Sequence, residues 1–201
     1  MKKLLALLLV LLLPFAALAE LDEDGDVVVT LPGIEFFFTP PEDMYLLTRE
    51  SSASAFNALG MSQRETLPVL EQYGICALLF DKAGSCEIQV LAYEGYEADF
   101  DELTAYGADL ECERLRFQYK DQGYEVLSCE SYRASEGHTF VRLEAARTYE
   151  DGTAERFVEY VTAKGGYTVS IYLFSYLDSV TEEQNAIAEV MADSLWIMPG
   201  Q

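Results

Sequence analysis

The feature that most constrains this fold is a series of three long runs of branched and aromatic residues, at 139–149, 154–162 and 167–176. Each run is typical of a β-strand, and the short turns between them predict antiparallel neighbours. A three-residue loop with a bulge at Gly152 would place Arg147 opposite Glu155 and Val141 opposite Val161. A two-residue turn would place like charges opposite each other. We therefore predict the register of the three-residue loop.

The rest of the chain is predicted to form shorter strands and four helices. Strands are predicted at residues 27–31, 34–38, 44–48, 75–81, 86–93 and 124–132, and helices at 51–59, 63–73, 99–120 and 182–195. Because antiparallel connections alternate with grouped helices, we predict an α+β fold with a central antiparallel sheet covered by helices. Residues 27–201 are expected to form a single domain, preceded by an acidic leader at residues 20–26.

Periodicity predicts which helix faces are buried. In the helix at residues 99–120, one face carries a series of apolar residues, and Cys112 lies on the opposite side: Phe100, Leu103, Tyr106, Gly107, Leu110 and Phe117. The final helix should be capped by Thr181 and Gln184, and its buried stripe is predicted to be Ile187, Val190, Met191 and Leu195. A second capping box, Ser62 with Glu65, should open the helix that precedes the 75–93 hairpin.

The first nineteen residues have the composition of a secretory signal peptide. Lys2 and Lys3 form a basic region, residues 4–13 are apolar throughout, and Ala17-Leu18-Ala19 is an A-x-A cleavage signal. A ten-residue apolar run is too short to span a bilayer, which takes about 20 residues. We expect cleavage after Ala19, no transmembrane helix after that cleavage, and a secreted, extracellular protein.

The charge balance excludes whole classes of partner. The chain has 13 Lys and Arg against 35 Asp and Glu, a formal net charge of −22. Nucleic acids are excluded because their binding needs clustered cations, and anionic membranes are disfavoured for the same reason. Residues 21–26 resemble the start of a calcium loop, but the glycine comes one place early and Gly33 stands where a Glu is required. A solvated leader that frays before the fold is the interpretation we favour there.

Four cysteines, at positions 76, 86, 112 and 129, allow two disulfides outside the cytosol. Cys76 and Cys86 would be about 17 Å apart in the predicted hairpin, which is too far for a bridge. Cys112 on a helix and Cys129 on the next strand are level if the two elements pack antiparallel. The sequence therefore names Cys112–Cys129 as the candidate disulfide, and four buried free thiols as its alternative. A zinc site is disfavoured because the sequence has no C-x-x-C motif and has only one histidine.

Catalytic motifs are lacking in the sequence. The single histidine, His138, lies in a polar turn and is expected to be a solvated surface residue. Two carboxylates suffice for glycosidase chemistry, but 35 acidic residues make such pairs uninformative. Structural roles account for Glu155 and Glu159 on a strand and for Glu182 and Glu183 at a helix start. We predict no catalytic, cofactor-binding or metal-binding residues.

An aromatic strand offers the one candidate binding surface. Tyr172, Phe174 and Tyr176 alternate with Ile171 and Leu173, so both faces of this strand are covered or sticky. A central strand with helices on both sides explains this pattern. The alternative is an aromatic groove formed by the three residues of one face, which would bind a peptide or a glycan.

Two segments carry a resemblance to a known superfamily. Residues 36–45, FFFTPPEDMY, resemble the strand, Pro-Glu turn and aromatic residue that open Mog1/PsbP-like domains, and ADSLW at residues 192–196 resembles the last helix of the same group. The closer likeness is to uncharacterised exported proteins of Gram-positive bacteria, in which a Leu-Gly-x-Ser helix precedes a hairpin, here residues 59–62. The resemblance covers most of residues 27–198.

The resemblance implies a non-enzymatic binding or interaction module. Its partner would be an unknown protein, peptide or glycan outside the cell. Two alternatives stay open: a secreted hydrolase that uses carboxylates on cell-wall glycan or peptide, and an acidic module that binds calcium weakly.

Overall fold

Eleven strands and four helices make up the computed structural model, which describes residues 18–95, 99–135 and 137–199. The predicted α+β class is confirmed. The strands are β1 (Leu18–Leu21), β2 (Val27–Leu31), β3 (Ile34–Phe38), β4 (Met44–Thr48), β5 (Ile75–Asp81), β6 (Cys86–Glu94), β7 (Glu125–Arg133), β8 (Thr139–Thr148), β9 (Ala154–Lys164), β10 (Tyr167–Ser175) and β11 (Trp196–Pro199). The helices are α1 (Ala53–Ala58), α2 (Gln63–Gln72), α3 (Ala105–Asp121) and α4 (Glu182–Ser194), with a 3-10 turn at Phe100–Glu102.

The larger sheet has seven antiparallel strands in the order β4-β5-β6-β10-β9-β8-β7. Its register confirms the prediction, since Val141 pairs with Val161 and Arg147 with Glu155. The loop between β8 and β9 has Gly152 at φ +81°, the left-handed conformation expected of a bulge glycine. The central strands β9 and β10 are buried along most of their length, which explains their unbroken hydrophobic runs.

The smaller sheet joins both ends of the described chain. Its order is β1-β2-β3-β11, so the first strand and the last strand lie at its two edges. The segment expected to fray instead begins within β1, where Glu20 pairs with Val28. The turn that follows is held by the Asp22 carboxylate, which accepts hydrogen bonds from the backbone N–H groups of Asp24 and Asp26 at 3.0 and 2.9 Å. A local turn therefore uses the carboxylate that the calcium interpretation would need. Residues 1–17 of the predicted signal peptide lie outside the described residues.

Helices and the small sheet cover the two faces of the large sheet. On one face, α4 and the small sheet enclose the main core, which includes Phe36, Ile88, Val169 and Met191. On the other face, α1 and α2 cover β4 and β5 around Phe56 and Leu70. The third helix, α3, covers β7 and β8 on that same face, at the opposite end of the sheet.

The predicted buried face of α3 is wrong. Its buried residues are Ala108, Cys112, Leu115 and Tyr119, whereas Tyr106, Leu110 and Phe117 are 71%, 51% and 68% exposed. The physical reason is a break in the helix. Phe100 lies in the 3-10 turn, and α3 starts only at Ala105, after the N-cap Thr104, whose side chain accepts a hydrogen bond from the Gly107 N–H. The apolar residues on either side of the break therefore do not share one helical face.

The other helix ends follow the sequence in part. The Thr181–Gln184 capping box of α4 is confirmed, but Val190 is 56% exposed and does not belong to the buried stripe. At α2 the side chain of Ser62 makes no capping hydrogen bond. Gly74 ends that helix at φ +65°, where a Cβ would lie 2.7 Å from the Ala92 carbonyl oxygen. No residue other than glycine fits there without a shift of the backbone.

The four cysteines comprise one disulfide and two free thiols. Cys112 on α3 forms a disulfide with Cys129 on β7, with 5.7 Å between the Cα atoms. Cys76 and Cys86 are free and buried. Burial raises the pKa of the Cys76 thiol to about 12 and that of the Cys86 thiol to about 11. Both free thiols are therefore protonated and poorly nucleophilic near neutral pH.

Candidate functional site

One part of the large sheet lies between its two helical covers. We call it the central strip and define it by residues of β6 and β10 and the residue that follows β10: Glu87, Gln89, Leu91, Tyr172, Phe174 and Tyr176. Leu91 packs against the cluster beneath α1 and α2 and also against the cluster beneath α3, so it marks the middle. Gln89, Leu91 and Phe174 are half-buried and Tyr176 is 48% exposed, whereas Glu87 and Tyr172 are each 5% exposed. The strip is thus partly accessible from solvent.

A row of aromatic residues crosses this strip at right angles to the strands. The register places Glu87 between Phe80 and Phe174, and it continues from Phe80 to Tyr45 and from Phe174 to Phe157. Cross-strand neighbours share a face of the sheet. Tyr45 is 50% exposed, Phe80 and Phe174 are half-buried, and Phe157 is buried. The row is therefore most accessible at its β4 end, while Glu87 in its middle is only 5% exposed.

The three residues of the predicted aromatic groove lie on this one face with unequal exposure. The ring of Phe174 is stacked on that of Tyr172, with 5.8 Å between centroids and 11° between planes. Tyr172 is only 5% exposed, because α3 covers it, whereas Tyr176 stands at the open end of the strip. Phe174 and Tyr176 are accessible to a ligand, and Tyr172 supports them from below.

Glu87 forms the polar centre of the row. Its Oε2 accepts a hydrogen bond from the Tyr176 hydroxyl, and its Oε1 accepts one from Gln89 Nε2 at 2.7 Å. Burial, followed by the charge of Glu87, raises the pKa of Tyr176 above its ordinary value. The tyrosine therefore stays a hydrogen-bond donor to the Glu87 carboxylate.

A second carboxylate, Glu159, lies beneath the strip and is 2% exposed. The hydroxyl of Tyr119 donates to its Oε2 at 2.7 Å and Ser170 Oγ donates to its Oε1 at 3.0 Å. The single hydroxyl proton of Tyr119 is thus used, so Tyr172 must donate in the 2.7 Å contact between the two hydroxyls. Burial raises the pKa of Glu159 above its usual range.

Glu155 lies at the β8–β9 end of the same face in similar company. Its two oxygens accept hydrogen bonds from Tyr124 at 2.9 Å and from Tyr149 at 2.5 Å. The guanidinium of Arg147 lies over both rings, 5.6 and 4.6 Å from their centroids. Burial raises the pKa of Glu155, and the charge of Glu87 adds to that rise. Glu87 and Glu155 therefore lie in the same region of the sheet.

The prediction for His138 is wrong, because the ring is 4% exposed and bonded on both sides. Its Nδ1 lies 2.8 Å from Asp101 Oδ2, and its Nε2 accepts a hydrogen bond from the backbone N–H of Ile197 at 3.2 Å. Since an amide N–H can only donate, the neutral ring carries its proton on Nδ1. The aspartate-histidine pair resembles half of a catalytic triad, but Nε2 faces the backbone of β11 instead of a nucleophile.

Asp101 holds this cluster together. Its Oδ2 also accepts from Lys164 Nζ at 2.8 Å, and its Oδ1 accepts from the Thr139 N–H at 2.8 Å. Burial raises the pKa of Asp101, but the bonds from Lys164, Thr139 and His138 outweigh it and leave the pKa below its ordinary value. The cluster therefore ties the 3-10 turn, β8, β9 and β11 to one another.

Sequence reasoning missed the buried state of both Glu159 and His138. Glu159 had one signal, since its immediate neighbours on its face of β9 are the apolar residues Phe157 and Val161. His138 had none, because its partners lie 37 and 59 positions away along the chain.

Within residues 18–95, 99–135 and 137–199, no cluster of three or more histidine, cysteine or acidic side chains is placed to hold a metal ion. Every helix in the same ranges is too short or too polar to cross a lipid bilayer.

No protein-family model matches the sequence, and no curated protein matches it. Solved structures do. The chain is similar to cyanobacterial PsbP from Synechocystis sp. PCC 6803, with 15% identity, a TM-score of 0.48, and coverage of 91% of this chain and 93% of that one. It is similar to LpqN, involved in cell envelope biogenesis of Mycobacterium tuberculosis, with 14% identity, a TM-score of 0.48, and coverage of 92% of each chain. A third match is the Saccharomyces cerevisiae Ran-binding protein Mog1p, with 11% identity, a TM-score of 0.35, and coverage of 90% of this chain and 95% of that one. The likeness is one of fold.

Proposed function

We propose that this chain is an exported, non-enzymatic binding module whose central strip binds an extended basic peptide segment. The observation that carries the proposal is the row Tyr45, Phe80, Glu87 and Phe174, in which partly exposed aromatic rings lie on both sides of the Glu87 carboxylate. Aromatic faces attract lysine and arginine side chains, and the attraction grows when a carboxylate shares the site. The formal net charge of −22 would further increase the rate of encounter with a basic partner.

A glycan is the other ligand that aromatic rows bind, through stacking of sugar rings. A neutral glycan carries no charge to attract a carboxylate, and the Glu87 oxygens that could accept from its hydroxyls already accept hydrogen bonds from Tyr176 and Gln89. Charge complementarity therefore favours the basic peptide.

The non-enzymatic part of the proposal rests on how the polar side chains are used. Glu87, Glu155 and Glu159 each accept hydrogen bonds from tyrosine, and His138 is bonded through both ring nitrogens. These groups already have structural partners, which supports a binding role over acid-base chemistry.

Export is proposed from the signal-peptide composition of residues 1–19. Leu18 and Ala19 precede the proposed cleavage point and also pair with Thr30 and Val29 as part of β1. Cleavage after Ala19 would leave Glu20 and Leu21 to continue the pairing with β2. Mass spectrometry of the protein recovered from the medium would give its first residue directly.

The binding test is an NMR titration of the folded chain with a hexalysine peptide, a hexaserine peptide and chitohexaose at about 0.15 M salt. We expect hexalysine alone to bind, with the largest chemical-shift changes at Tyr45, Gln89 and Phe174. Tyr45→Ala and Glu87→Gln should each weaken binding by about tenfold, because central aromatic and charged contacts dominate interface energies.

Matched controls come from α3. Tyr106→Ala removes an aromatic ring that is 71% exposed, and Glu113→Gln removes an acid whose side chain is 78% exposed, both away from the strip. The controls should bind hexalysine like the parent protein. If Tyr45→Ala and Glu87→Gln weaken binding no more than the two control variants do, the binding comes from general charge attraction and the proposed site is overturned. Binding of chitohexaose with no binding of hexalysine would replace the peptide by a glycan as the ligand.

A further inference from the structure

The solvent face of α3 carries an apolar stripe that nothing in the described chain covers. Tyr106, Leu110 and Phe117 are 71%, 51% and 68% exposed. At 100° per residue these three side chains fall within about 40° of one another, directly opposite the buried face formed by Cys112 and Tyr119. An exposed stripe of large side chains along one helix is typical of an interaction surface.

The opposite charges of Asp109 and Arg116 flank this stripe, with Glu113 between them along the helix. Asp109 and Arg116 are seven residues apart, so they project on the same flank of the stripe. Asp109 is exposed, and the nearest acid to Arg116 in the same helix is Glu113 at 4.0 Å. Consider a second copy of α3 that packs antiparallel against the stripe, with the two-fold axis level with Cys112 along the helix. This arrangement brings Arg116 of the second copy to Asp109 of the first, and Asp109 of the second copy to Arg116 of the first. The same operation places Phe117 of the second copy beside Tyr106.

We propose that two copies of this chain associate through the α3 stripe as an antiparallel, two-fold symmetric helix pair. The stripe buries its three large side chains against their counterparts, and two Asp109–Arg116 contacts fix the register. Self-complementarity of this kind is what an isologous interface requires. A single helix pair is at the small end of protein interfaces, so the dimer is weak and reversible. Net repulsion between two acidic chains makes it weaker still at low ionic strength.

Analytical ultracentrifugation of the folded chain at about 0.15 M salt tests the proposal. The parent protein should show a monomer-dimer equilibrium at concentrations of tens to hundreds of micromolar. Phe117→Ser should raise the dissociation constant at least tenfold. Val190→Ser, which changes an apolar residue that is 56% exposed on α4, should leave it unchanged. A parent protein that stays monomeric over the whole range overturns the proposal.

Reversal of each charge gives a sharper test. Asp109→Arg alone produces two Arg–Arg contacts in a homodimer, and Arg116→Asp alone produces two Asp–Asp contacts, so each variant should be monomeric. An equimolar mixture of the two variants restores both Asp–Arg contacts and should dimerise again, as should the double variant. The two substitutions change the net charge in opposite directions, so a common loss of self-association does not come from net charge.

Far-UV circular dichroism and the melting temperature of each variant check that α3 remains folded. If the variants are folded and their mixture stays monomeric, the proposed register is overturned. Dimerisation of either single variant to the parent level overturns it as well. The peptide titration of the central strip is a separate measurement on a different surface of the protein, so failure of one proposal does not imply failure of the other.

Discussion

At the scale of single residues, tyrosine hydroxyls take the place that cations have in most proteins. The chain has 35 acidic side chains, 13 lysines and arginines, and 13 tyrosines. Glu159 is bonded to Tyr119, Glu155 to Tyr124 and Tyr149, Glu87 to Tyr176, and Asp193 to Tyr132. A neutral donor satisfies a buried carboxylate without the desolvation cost of a second charge. These pairs use five of the 13 tyrosines.

Glu159 gives the clearest prediction at this scale. Its pKa in the folded chain is raised above the ordinary value of 4.5, so the folded state holds its proton more tightly than the unfolded state. The stability from this group is therefore full below about pH 4.5 and is lost as the pH rises towards the folded pKa. Glu159→Gln should remove this loss and make the free energy of unfolding less dependent on pH above 4.5.

Urea unfolding of the parent and of Glu159→Gln between pH 4 and 8 measures the effect. Glu159→Ala is the control, because it leaves the Tyr119 and Ser170 hydroxyls without their acceptor and should lower the free energy of unfolding by about 2 kcal/mol. Identical pH profiles for the parent and the glutamine variant would contradict the prediction.

Residues such as these also mark where sequence reasoning stops. The alternation that identifies β9 as a strand says nothing of which helix covers it, so the burial of Glu159 depends on the placement of α3. His138 looks like a turn residue because its neighbours are polar, yet Asp101 and Ile197 enclose it from distant parts of the chain. Local pattern predicts secondary structure, and burial follows from packing.

At the scale of elements, the disulfide between α3 and β7 determines how firmly that helix is held. The two cysteines are 17 positions apart, and closing a loop of that size stabilises a folded chain by about 3 kcal/mol in the chain-entropy model. Reduction, or the double substitution of Cys112 and Cys129 by alanine, should lower the free energy of unfolding by a similar amount.

Thiol titration checks the pairing before stability is measured. The native protein should show no reactive thiol, and the unfolded, unreduced protein should show two, from Cys76 and Cys86. Four reactive thiols in the unfolded, unreduced chain would contradict the disulfide. Urea unfolding with and without a reductant then gives its contribution, and coincident curves would mean that it adds no stability.

The strands were more predictable than the helix faces. Strand register followed from the length of one loop and the avoidance of like charges, both of which are local. The face of α3 depended on where the helix starts. A break at Leu103 separates Phe100 from the residues of α3 that continue its period. The clearest apolar stripe of α3, formed by Tyr106, Leu110 and Phe117, is exposed. A stripe that is regular in sequence and bare in the structure is the reason for the dimer proposed above.

At the scale of the whole molecule, the formal net charge of −22 opposes compaction. Of the charged pairs in the described residues, several are largely exposed, such as Lys82 with Asp43, and exposed pairs contribute little. Salt should therefore screen more repulsion than attraction. We expect the melting temperature to rise when sodium chloride is increased from about 0.01 to 0.5 M.

Differential scanning calorimetry over that salt range is the measurement. Magnesium and calcium chloride at equal ionic strength are the controls, and they should act like sodium chloride if screening is the cause. A specific rise with calcium would favour the weakly calcium-binding acidic module instead. A fall with sodium chloride would contradict the expectation.

The small sheet has a consequence for how the chain reaches its folded state. Its order puts β3 between β2 and β11, so β3 pairs with a strand that is synthesised long after it. The main core includes Val27 and Phe36 from the start of the chain and Leu195 and Ile197 from its end. The core therefore cannot close until β11 has been synthesised. It stays incomplete while the residues before β11 are made, which is compatible with the export proposed above, because an unfolded chain can pass through a narrow pore.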